Sequence, residues 1–92
     1  MVKVIALITF EFTRAGHEKL GSARFAKTIQ MPAAPVGIDV MIVTAGTVAA
    51  NAEVSRVAWS EPRDAYVVTG VAAVDEYYVN RLKSDSAWEF VD

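Results

Sequence analysis

The residues able to do chemistry in this chain are few, and they do not converge. His17 is the single histidine, and it stands in the polar stretch 14–22, RAGHEKLGS, between two glycines. Catalytic or metal-ligating use of an imidazole needs partners, either a second ligand at fixed spacing or a carboxylate that holds its tautomer. Glu18 is adjacent in sequence, and neighbours on a loop seldom point to one place, so His17 reads as an exposed loop histidine. Ser22, Ser55, Ser60, Ser84 and Ser86 stand outside any nucleophile elbow. The absence of cysteine removes thiol nucleophiles, disulfides and thiolate metal sites together. Asp75 and Glu76 are paired carboxylates, but the start of a helix accounts for both. Glu61 and Asp64 belong to a turn, and Asp39, inside an apolar run, reads as a strand-end residue. A two-carboxylate hydrolase needs acids on facing elements, one of them in an apolar pocket, and no such pair is visible. Phosphate-cradling glycine patterns are missing, since Ala45-Gly46-Thr47 is an isolated turn. The expectation is a protein without catalysis, cofactor or metal.

Binding is the stronger reading, in three forms. Trp59 and Tyr66 flank a turn and are placed to lie across from each other, with Arg56 and Arg63 nearby. Tryptophan, tyrosine and arginine dominate binding hot spots, so this set, with Arg14, His17 and Lys19 of the polar stretch, is the expected surface for a protein partner. Alternatively, Phe10, Phe12 and Phe25 accompany Arg14, Lys19, Arg24 and Lys27, and aromatics beside cations bind single-stranded nucleic acid by stacking. Those phenylalanines alternate with polar residues as core residues do, however, and the basic-Gly-aromatic ribonucleoprotein signature is absent. The third form is an acidic mimic of nucleic acid. Residues 61–92 hold Glu61, Asp64, Asp75, Glu76, Asp85, Glu89 and Asp92 against Arg63, Arg81 and Lys83. A solvated helix face has the same look.

The elements that position these residues are mostly strands. The spine is the stretch 53–74, EVSRVAWSEPRDAYVVTGVAAV, which lacks helical period and reads as a hairpin. Its turn is Glu61-Pro62-Arg63-Asp64, with Pro62 supplying the fixed φ of the second turn position. Residues 2–14 form a long first strand. Its second half alternates, while its first half is apolar on both faces and is expected to be central and covered on both sides. Residues 23–31 make a second strand, with Lys27 on the apolar face, either blocking an edge or snorkelling. Pro32 and Pro35 force an extended connector around an edge. Residues 37–44 are a third strand with Met41 and Val43 on one face and Ile38, Val40 and Ile42 on the other. The Ala-rich stretch 47–52 is ambiguous between a helical turn, a bulge and a loop. Asp75 is a helix N-cap, Tyr78, Val79 and Leu82 form an apolar stripe, and residues 84–86 end the helix. Residues 87–91, AWEFV, alternate as a short edge strand or a packed tail.

Ninety-two residues suit one domain of modest core. A hydrophobic content of 53%, rich in valine, favours sheet. The fold class is therefore α+β: an antiparallel meander of four to six strands, or a curled half-barrel, covered by one C-terminal helix. A net charge of −2 gives no global attraction to nucleic acid, and the basic first third and the acidic last third read equally as neighbours that attract or as two separate surface patches. The apolar run at residues 2–8 contains Lys3 and is too short for a signal core or a membrane span, so a cytoplasmic protein with no membrane partner is expected. In texture the chain resembles the small accessory proteins that phages and mobile elements encode, though no motif carries that likeness. The functional expectation is a non-enzymatic binding protein that occupies a protein partner, as an inhibitor or an assembly subunit. Its edge strand also allows a homodimer.

Overall fold

The computed structural model describes the backbone of residues 1–14 and 18–91, and the side chains of residues 1–13 and 21–91. Seven elements follow in order: β1 (Val2–Arg14), β2 (Glu18–Met31), β3 (Val40–Ala45), β4 (Val48–Ser60), β5 (Ala65–Val74), α1 (Glu76–Ser84) and β6 (Trp88–Val91). The six strands form one sheet in the order β3-β4-β5-β1-β2-β6. A meander would place successive strands side by side, and here it does not hold. β5 leaves its hairpin with β4 and pairs with β1 in parallel, Val4 beside Tyr66 through Phe12 beside Val74. The remaining neighbours are antiparallel. The sheet is mixed and is not closed into a barrel.

Local chemistry explains most boundaries. In the β4–β5 turn the amide of Asp64 donates to the carbonyl of Glu61 at 3.1 Å, and Asp64 takes φ 50, a left-handed conformation that aspartate tolerates. The β3–β4 hairpin turns through Gly46 and Thr47, with Gly46 at φ 61, the sign that primed two-residue turns require. The ambiguous Ala-rich stretch is strand, because its partner β3 supplies the ladder from Val40 beside Glu53 to Ala45 beside Val48. Residues 18–22, read as loop, are also strand and extend β2 along β1. Residues 87–91 join the sheet as β6, pairing with Arg24 to Lys27 of β2.

The core lies on one face, under α1. Val4, Ala6, Ile8 and Phe10 of β1, Val68 and Ala72 of β5, Met41 and Val43 of β3, and Tyr78, Leu82 and Trp88 are buried there. Phe10 is its centre, with ring centroids 5.5 Å from Tyr78 and 5.4 Å from Trp88. In the β2–β3 connector Pro32 is exposed and Pro35 buried. α1 starts at Asp75, whose carboxylate accepts from the Tyr78 amide at 2.9 Å.

Strand β3 is tied to the helix side by polar bonds. Tyr78 Oη donates to the carbonyl of Val43 at 3.0 Å, and Trp88 Nε1 to that of Thr44 at 2.9 Å. Lys27 Nζ donates to the same Thr44 carbonyl at 3.1 Å while its ammonium stands 5.5 Å from the Trp88 ring centroid. Lys27 is therefore neither an edge guard nor free for a ligand: its stem lies in the core and its head closes the sheet onto β3. Asp85, at the helix C-terminus, accepts from the amide of Gly46 at 2.9 Å.

Candidate partner-binding surfaces

The expected aromatic pair is present. Trp59 and Tyr66 are direct partners across β4 and β5, with ring centroids 5.1 Å apart in an edge-to-face arrangement and Trp59 54% exposed. Their arginines do not join them. Register puts Trp59 and Tyr66 on the helix side of the sheet. Arg56 lies three residues before Trp59 in unbroken register, so plain alternation pairs it with Thr69 on the opposite face. Arg63 likewise reaches the opposite face, where it lines a groove with Ile5, Leu7 and Val67. The four residues thus divide between two faces. Arg14 and Lys19 stand near the far end of the β1–β2 hairpin, which their backbones pair to form. His17 lies outside the described residues.

The basic set of the nucleic-acid reading is divided in the same way. Arg24 and Lys27 are three residues apart on one strand, which sends them to opposite faces. Lys27 is committed to Thr44. Phe10 and Phe25 are buried and pack edge-to-face at 6.0 Å, so neither is open for a base to stack on. Asp39 is an exposed residue just before β3 whose carbonyl accepts from the Val54 amide at 2.8 Å. Among the described residues no group of three or more side chains is placed to hold a metal ion.

Two features went unread in the sequence. The first is the face opposite α1. There β1 presents Ile5 and Leu7, β5 presents Val67 and Val71, and β2 presents Ala26, all half-buried or exposed. No described element crosses this face. A groove of about 450 Å³ runs over it, with Ile5, Leu7, Ala26 and Val67 in its floor, Arg63 on one side, and Ala87, Glu89 and Val91 on the other. The two-sided apolar pattern of β1 predicts cover on both sides; β1 is central, but Ile5 and Leu7 are only half-buried because α1 packs on the other face.

The second is a cleft of about 710 Å³ where β4 and β5 part beyond Glu53 and Val71. Glu11, Glu53, Asp75 and Tyr77 line it, with Val74 and Tyr78. Only the three-dimensional path of the strands brings these acids together.

Among the described residues two groups have shifted acidities, and both belong to the β3–α1 tie. Burial, and then the nearby Asp85 charge, push the Tyr78 hydroxyl up to about 12 from 10.0. The amides of Gly46 and Ala87 hold the Asp85 carboxyl below 3.8, with the Lys27 charge adding to the effect. These shifts describe a structural clasp. No helix of the described residues is long and apolar enough to cross a membrane.

No protein-family model, curated protein or solved structure matches the chain.

Proposed function

We propose that this chain is a non-enzymatic binding domain that acts by occupying a protein partner through the open face of its sheet. One observation carries the reading. The parallel pair β1 and β5 sits at the centre of the sheet, and only one of its faces is covered by the fold. All-parallel sheets have both faces covered and read as near-continuous apolar runs. This sheet is mixed, but its central strand β1 keeps a two-sided apolar pattern over residues 4–8 and leaves one apolar face in water. Ile5, Leu7 and Val67 supply such a face, flanked by charges that a partner can read. Catalysis has little support beside this, since the shifted groups are spent on the fold. An inhibitor or an assembly subunit would both use such a surface.

The experiment is site-specific photo-crosslinking in cells, with the reactive residue at Thr28, exposed on the open face, or at Asn80, exposed on the outer side of α1. Protein adducts are expected from Thr28 and not from Asn80. Adducts from Asn80 alone, or from neither position, would overturn the reading.

A further inference from the structure

The occupant of the open face is set by its two rims. Arg63 stands on the β4–β5 turn at one side of the groove, and Glu89 on β6 at the other, with Ile5, Leu7 and Val67 between them. Arg63 and Glu89 form no ion pair with another described residue. A two-fold axis running along the groove floor would exchange the rims: Arg63 of one copy would face Glu89 of the other, twice, and the apolar floors would meet. A groove with one charge of each sign on its two rims is thus complementary to itself. The net charge of −2 adds little repulsion between copies. We infer that a second copy of this chain covers the open face, in a symmetric dimer held by the apolar floor and set in register by the Arg63–Glu89 pairs. This inference rests on the open face being a protein-binding surface and names its partner.

The test is light scattering after size exclusion on the intact chain, with circular dichroism as the check of folding. The wild type is expected to show twice the 10.0 kDa chain mass. Arg63→Glu places like charges at both crossings, and Glu89→Arg does the same, so each is expected to weaken the dimer by roughly tenfold or more while leaving the monomer folded. The double variant, R63E with E89R, reverses both rims and is expected to restore the dimer. A monomeric wild type overturns the inference, as does a double variant no better than either single one. Neither result touches the broader partner reading. That reading is decided by the Thr28 adducts, whose mass separates a second copy from a different protein.

Discussion

At the scale of single residues, the fold depends on a few close approaches and bonds that sequence does not announce. Gly70 is one. A Cβ built there would lie 2.6 Å from the backbone oxygen of Glu53, beside the β4 bulge. A backbone atom cannot swing aside as a side-chain end can, so Gly70→Ala is expected to cost about 1–3 kcal/mol in urea denaturation, in line with other overpacked sites. A loss below the error of the measurement would show that the bulge yields. Tyr78 gives a pH test. Its folded value of about 12 lies above the ordinary 10.0, so the folded state holds the proton more tightly. That stability is complete below pH 10 and is lost as pH rises toward 12. Tyr78→Phe removes the bond to the Val43 carbonyl, at a neutral-pH cost of about 1 kcal/mol, and is expected to flatten the alkaline fall in melting temperature. Asp85 runs the other way. Its lowered pKa contributes stability above pH 3.8 that fades as pH drops through the folded value, so the gap between wild type and Asp85→Asn should narrow in acid.

At the scale of elements, sequence was most readable where a local rule decides the structure. The Pro62 turn, the Asp75 cap, the face assignment of Met41 and Val43 and the alternation of residues 87–91 all follow from neighbours within a few positions. Asp75→Ala makes the helix rule quantitative. Loss of the 2.9 Å bond to the Tyr78 amide is expected to cost about 1 kcal/mol, read by thermal melting. A larger loss would mean that the cap also holds the helix onto the sheet. Sequence failed where an element is decided by a distant partner. Val48–Ser60 is uniform strand because β3 lies beside its Ala-rich half. β5 reads as the second arm of a hairpin, and nothing local reveals that its other edge joins β1 in parallel. Arg56 and Trp59 stand three residues apart on one strand with no register shift between them, so alternation alone sends them to opposite faces. The expected cluster with Trp59 divided for that reason.

At the scale of the whole molecule, the two faces of one sheet carry similar side chains and have different fates. β1 was expected to be covered on both sides from its apolar first half, and the chain covers one. Neighbouring valines on β5 separate what that asymmetry means. Val68 is fully buried under the helix, and Val67 is half-buried in the open groove. Threonine matches valine in shape and strand preference, so Val→Thr at either position changes chiefly the cost of placing a hydroxyl there. Val68→Thr is expected to lose about 1–3 kcal/mol, since the hydroxyl enters a core built of apolar side chains. Val67→Thr is expected to lose less than about 0.5 kcal/mol when measured in dilute protein, because water reaches the groove. The same Val67→Thr protein is expected to lose adduct formation at Thr28. Stability kept while binding is lost marks Val67 as apolar for a partner's sake. Equal destabilisation at both positions would instead make the open face part of the chain's own core and remove the physical basis for a partner there.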